Sequence, residues 1–191
     1  MTEKVLRQSR LNRIFHWLFA LSVLLLIISG FSTYWTPSVS HSMAAHSMVH
    51  RSLGFFATGL FWGWVYYHIV TQSYRDFWFR AREIGDLKGL FAYYFFFRKN
   101  LPRYGKYNPG QKLIYTGWVF GFLFQSVTGL LLYTANFGNI LPFPITLQQL
   151  RFYHYAVALW FLGTAPLHIY LAATEDPAKL QAMLTGWVRK R

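Results

Sequence analysis

From Ile14 to Tyr34 the chain reads IFHWLFALSVLLLIISGFSTY, an unbroken run without Asp, Glu, Lys or Arg. About 20 mainly apolar residues are enough for a helix to cross a hydrocarbon core of roughly 30 Å. Three further windows have this character: 49–70, with Arg51 near its start, 113–133, and 150–172, with Arg151 at its entry. Strands of a membrane barrel alternate apolar and polar positions over about ten residues, and these runs do not alternate. Only helices and closed barrels satisfy their backbone inside lipid, so helices are expected. The first window is longer than the apolar core of a secretory signal and is read as retained. The expected fold is all-α, an integral membrane protein forming a single membrane domain over 1–191 with spans at 14–34, 49–70, 113–133 and 150–172.

Nineteen Lys and Arg against six Asp and Glu give a net charge of +13, a balance that on a soluble protein suggests nucleic acid. The positions of these residues point elsewhere. Seventeen of the nineteen fall before the first window, in 71–112 or after the last window, whereas 36–48 and 135–149 carry no charge. Basic residues collect on cytoplasmic segments, so both termini and 71–112 are expected in the cytoplasm, with the chain in the cell inner membrane. The basic excess then meets anionic membrane lipid, and no nucleic-acid partner is expected.

Within 71–112, the stretch DLKGLFAYYFFFRK from Asp86 to Lys99 is too short and too charged at its ends to span. It reads as an interfacial helix with aromatic side chains in the headgroup layer. The following GKYNPGQK, 105–112, reads as a turn before the third span. The uncharged outer loops hold apolar residues and prolines, as expected of loops covered by a partner subunit. No cysteine is present, which excludes disulfides, thiolate metal ligands and cysteine-held iron–sulfur clusters within this chain.

An ionisable side chain at membrane depth needs a partner. His16 enters the first window from the cytoplasmic side and His168 lies near the cytoplasmic end of the fourth; His50 and His154 open the second and fourth from the outer side. On one helix, the fourteen residues from His154 to His168 span about 21 Å and return to nearly the same face, some 40° apart. Two stacked haem groups, each held by two histidines from facing helices, would use this pattern, because neutral imidazole is a good axial ligand for iron. Gly30, Gly54 and Gly129 leave room for a flat macrocycle. His68, five turns after His50 and on the same face, could on geometry alone replace His16. His41 and His46 read as loop residues, since no carboxylate or thiolate accompanies them to complete a zinc site.

Four stretches resemble the membrane cytochrome b (gamma) subunit of respiratory formate dehydrogenases, within the group that includes nickel–iron hydrogenase cytochromes b. They are RLNRIFHW leading to ISG at 28–30, HRSLG at 50–54, GKYNPGQK at 105–112, and RFYHYAVAL with LHIY between 151 and 171. The resemblance covers nearly the whole chain, and GKYNPGQK favours the formate dehydrogenase branch. It implies a four-helix di-haem bundle with two haem b groups, one held by His50 and His154 near the outer face, the other by His16 and His168 near the cytoplasm. It further implies a menaquinone site beside His168, with Asn108 and Gly110 as contacts and Gln111 in the same motif. Two departures stand out: Pro109 lies between Asn108 and Gly110, and His46 precedes His50 by one turn.

The expected function is electron transfer from an outer-face iron–sulfur subunit, through both haems, to menaquinone. The partner catalytic subunit is expected to be a molybdenum- or tungsten-containing formate dehydrogenase; this chain itself has no evident substrate-oxidising site. The alternatives are the cytochrome b subunit of a nickel–iron hydrogenase or related oxidoreductase, and a haem-free membrane anchor. A transporter is disfavoured because the four windows contain no acidic residue.

Overall fold

The computed structural model describes residues 3–35, 41–102, 104–135, 144–174 and 177–189. In chain order the elements are β1 (Lys4–Leu6), α1 (Arg10–Trp35), α2 (His41–Val70), α3 (Tyr74–Phe77), a 3-10 turn (Ala81–Glu83), α4 (Ile84–Tyr94), α5 (Pro109–Ala135), α6 (Leu147–Thr174), α7 (Pro177–Thr185) and β2 (Trp187–Arg189). Each of the four expected windows lies inside a long helix that extends beyond it. By length and composition α1, α5 and α6 qualify as membrane spans. The 30-residue α2 is long enough, but its histidines, serines and aromatic residues dilute its apolar character.

Hydrogen-bonded caps set where three of these helices start. The first four N–H groups of a helix lack intrahelical partners. At α1, Ser9 Oγ accepts the Asn12 N–H at 3.1 Å. At α5, Asn108 Oδ1 accepts the Gln111 N–H at 2.8 Å while Gln111 Oε1 accepts the Asn108 N–H at 3.1 Å. Thr146 and Gln149 repeat this reciprocal capping box at α6, with N–H donations of 2.9 and 3.2 Å. Inside the helices hydroxyls return their protons to the preceding turn, as Ser29 does to the Leu25 carbonyl at 2.7 Å and Thr164 to that of Trp160 at 2.9 Å. This satisfies a polar group where water is absent.

The chain divides into two compact units, residues 1–62 with 125–191, and residues 63–124. In the first unit, β1 and β2 pair antiparallel with Val5 opposite Val188, an addition to the expected all-α fold. Strands of three residues are too short to show alternation. The pair is the end of a clasp. Gly186, at φ 89°, closes α7 with its N–H on the Ala182 carbonyl at 2.9 Å. The next two carbonyls of α7 take side chains from α1: Trp17 Nε1–H donates to Met183 at 3.0 Å and Arg13 Nη1–H to Leu184 at 2.6 Å. Ala57, Phe61, Leu150 and Phe161 are buried, while Leu21, Leu24, Ile28, Phe55, Phe56 and Trp62 face outward. Large apolar residues outside and few inside suit helices solvated by lipid.

In the second unit, Phe77 and Leu90 are buried and the Phe79 N–H donates to Thr116 Oγ1 at 2.8 Å. Helix α4 overlaps the stretch expected to be interfacial, starting two residues before it. After it, Phe96 takes a left-handed φ of 63° and is 94% exposed beside exposed Phe95 and Phe97. Two sequence expectations differ from the structure. His41 and His46 lie in the first turns of α2 rather than in a loop, because HSMAAHSM contains no Gly or Pro to stop helix growth. Pro109 to Lys112 form the first turn of α5 rather than a free turn, because proline at the first helical position loses an N–H that has no helical partner anyway.

Candidate functional site

Helix α6 supplies one histidine to each of two facing pairs. His154 stands opposite His50 of α2 with ring centroids 6.4 Å apart and planes at 83°. His168 stands opposite His16 of α1 with centroids 6.2 Å apart and planes at 59°. All four belong to the first unit. Pro166, unremarked in the sequence reading, lies inside α6 two residues before His168 and removes one helical N–H there.

On spacing alone His68 could replace His16, and the departure at His46 leaves it one turn from His50. In the structure it is His16 that faces His168 and His50 that faces His154. His68 is buried in the second unit, with Nδ1 2.6 Å from Ser73 Oγ and its ring 4.4 Å from Trp64 and 5.1 Å from Phe77.

Two imidazoles on opposite sides of one iron have ring centres about 6.2 Å apart, from two metal–nitrogen bonds of about 2.0 Å and about 1.1 Å from each nitrogen to its ring centre. Both pairs match that figure, and neither is close enough for the rings to hydrogen-bond each other. Glycines make the space beside one pair. A Cβ on Gly30 would lie 3.1 Å from His50 Cε1, and one on Gly129 3.4 Å from His154 Cε1. Gly54 meets nothing within 4 Å and has no such task. Among the described residues no group of three or more His, Cys, Asp or Glu is placed to hold a metal ion. The donor sets are pairs of imidazoles, which suit a macrocycle that already fills iron's equatorial positions and do not suit zinc.

Two hydroxyls within the apolar runs of α1 and α5 complete the His50–His154 pair. Ser29 Oγ lies 3.0 Å from His50 Nδ1, and Thr128 Oγ1 lies 2.8 Å from His154 Nδ1. Both hydroxyl residues are buried. Each immediately precedes one of the two glycines that flank the rings.

The residues expected at the quinone site lie in the second unit. The carbonyl oxygens of Asn108 and Gln111 are engaged in the capping box, leaving the Asn108 amide –NH2 as that side chain's donor group. Gly110 has its vacant side-chain position filled by Leu90, whose Cδ2 lies 2.6 Å from where a Cβ would be. An open cavity of about 500 Å³ adjoins the motif, lined by Gly105, Tyr107, Pro109, Lys112, Glu83 and Tyr104 among others, but not by Asn108, Gly110 or Gln111. Lys112 is ion-paired to Glu83 at its wall. Partial burial works against the Glu83 carboxylate, but hydrogen bonds from Lys112 and the Arg80 N–H, together with both cations, hold its pKa below the ordinary range. Burial, aided by Asp86, raises that of Tyr104, whose hydroxyl donates to the Asp86 carbonyl at 3.2 Å.

Residues 7–186 match the family model described as prokaryotic cytochrome b561. Among curated relatives, a probable Ni/Fe-hydrogenase B-type cytochrome subunit of Azotobacter chroococcum mcd 1 is 26% identical, the match covering 92% of this chain and 84% of that protein. One of the same description from Rhodobacter capsulatus is also 26% identical, over 92% of this chain and 76% of its own length. The formate dehydrogenase cytochrome b556(fdo) subunit of Escherichia coli K12 is 23% identical over 97% of this chain and 86% of its length.

Proposed function

Since the chain belongs to the prokaryotic cytochrome b561 family, we propose that it is a four-span, di-haem electron carrier delivering electrons from an iron–sulfur subunit to menaquinone. The observation that carries this reading is the pair of imidazole gaps, 6.4 and 6.2 Å, on one helix at two depths. His50 with His154, and His16 with His168, each hold one haem b. Bound haem supplies reversible one-electron transfer. The protein presents neutral imidazoles, keeps the rings at coordinating distance and excludes water behind outward-facing Leu and Phe.

The clasp supports a fourth span. With β1 paired to β2, the two ends of the chain lie together, which an odd number of crossings does not allow; α2 is the helix that makes the number even. Basic residues on the terminal segments support a cytoplasmic side for that end.

Menaquinone binds beside the GKYNPGQK motif. Asn108 donates from its amide –NH2 to a quinone oxygen, Gln111 fixes Asn108 through the capping box, and Gly110 admits Leu90, which sets the turn against α4. Protons for the quinol enter from the cytoplasm. Electrons moving inward across the membrane each work against about 2.3 kcal/mol per 100 mV of potential crossed. Asn108→Asp separates capping from binding, because the carboxylate still caps α5 but lacks the –NH2. Both haems and the thermal stability are then retained while quinone reduction falls; unchanged quinone kinetics would remove Asn108 from the site.

The partner is a formate dehydrogenase catalytic subunit with its iron–sulfur subunit, a reading supported by the GKYNPGQK motif and by the formate dehydrogenase cytochrome among the relatives. A nickel–iron hydrogenase complex is the second reading, favoured by the relatives of that description. Purification of the intact complex in mild detergent, with haem counted per chain and the catalytic subunit identified, tests both. Two bis-histidine b haems are expected; a haem-free complex would reduce the chain to a membrane anchor.

A further inference from the structure

The hydroxyls beside the His50–His154 pair have their own protons spoken for. Ser29 Oγ–H donates to the Leu25 carbonyl at 2.7 Å, and Thr128 Oγ1–H has the Gln125 carbonyl at 3.3 Å. With those donations made, each oxygen can accept from the ring beside it, an arrangement that puts hydrogen on His50 Nδ1 and His154 Nδ1 and leaves Nε2 of each ring its lone pair. One residue on, Gly30 and Gly129 lie against Cε1 of the same two rings, with no side chain to push them aside. The device occurs twice, on α1 facing α2 and on α5 facing α6. Its sequence is also repeated: ISGFSTY at 28–34 and VTGLLLY at 127–133 share an aliphatic residue, a hydroxyl residue, glycine and, four positions on, tyrosine.

We infer that Ser29 and Thr128 are positioning residues that fix His50 and His154 as Nδ1–H tautomers and tune the redox potential of the iron held between them. This rests on the di-haem reading. A hydrogen bond from Nδ1–H makes the imidazole a stronger electron donor and favours ferric iron. On the His50 side the Leu26 backbone carbonyl is a second hydrogen-bond partner of the ring. The glycine that follows gives each ring its place, and the hydroxyl gives it its orientation.

The test uses the intact membrane complex and reads the two haems separately by potentiometric titration and low-temperature EPR. Ser29→Ala and Thr128→Ala are each expected to weaken the preference for ferric over ferrous iron about tenfold, raising one of the two potentials by about 59 mV. The other potential stays, and Ser29→Thr and Thr128→Ser restore the wild-type value. Loss of only the haem held by His50 and His154 in the Ala variants, with both haems kept in the swaps, supports the same role more strongly. Both haems retained with neither potential moved overturns the inference while leaving the di-haem reading intact. Independently of any variant, pulsed EPR of wild-type complex carrying 15N-histidine is expected to find Nε2 bound and an exchangeable proton on Nδ1 of both ligands of one haem. Nδ1 ligation overturns the inference, and a complex without haem overturns the proposed function instead.

Discussion

The two histidine pairs hold the same gap by different means. His50 and His154 are fixed from within the helix layer, by Ser29 and Thr128 on their ring nitrogens and by Gly30 and Gly129 at their edges. His16 sits on the turn of α1 flanked by Arg13 and Trp17, and those two side chains are tied to the last carbonyls of α7. The ring of Trp17 also meets that of His16 edge-on, with centroids 5.2 Å apart. One pair thus depends on single buried hydroxyls, the other on a clasp that joins the two ends of the chain. Equal spacing of ligands does not require equal scaffolding, and the two pairs should fail under different perturbations.

Removing a ligand has the largest effect. His154→Ala is expected to lose the haem shared with His50 and keep the other, and His168→Ala the reverse, each halving haem content measured optically after extraction. Loss of both haems from either variant would mean that the pairs do not stand independently. Disturbing the clasp comes next. Gly186 lies at φ 89°, and a Cβ there would meet the Gln8 carbonyl oxygen at 3.1 Å, so Gly186→Val costs about 1–3 kcal/mol. Thermal haem release should then begin at the His16–His168 pair and leave the other at its wild-type temperature. Trp17→Phe keeps the ring and removes the Met183 hydrogen bond, a milder change in the same direction of about 1 kcal/mol.

The smallest effect is the control. Glu83 in the second unit has a pKa below the unfolded value of about 4.3, so its ion pair with Lys112 stabilises fully above that pH and is lost as pH falls through the lower, folded value. Glu83→Gln should cost less than about 1 kcal/mol, remove that part of the acid dependence of melting, and leave both haem potentials alone. A shift in either potential would show that the ion pair acts on the haem pairs.

Which parts were legible beforehand follows from how far each signal reaches along the chain. His154 and His168 share a helix, so their depth and common face follow from fourteen residues of regular rise. Spacing does not choose His16 over His68, since both recur at helical spacing; the resemblance favours His16, and packing brings it opposite His168. Asn108 and Gln111 stand out as a motif, yet on sequence their capping box reads as a turn and Pro109 as a departure from the family pattern. A local signal was available there, an Asn followed three residues later by Gln. Ser29 and Thr128 looked like ordinary hydroxyls within apolar runs.

Hydropathy and charge placement in the linear chain determined its membrane character and its repeated histidine depths, because burial in lipid selects residue types over a whole span and needs no knowledge of neighbours. Tertiary packing alone decided which hydroxyl meets which imidazole, that Leu90 occupies the space at Gly110, and that the chain ends form a clasp. A hydrogen bond between helices depends on rotations and offsets of tenths of an ångström that no periodicity within one helix records.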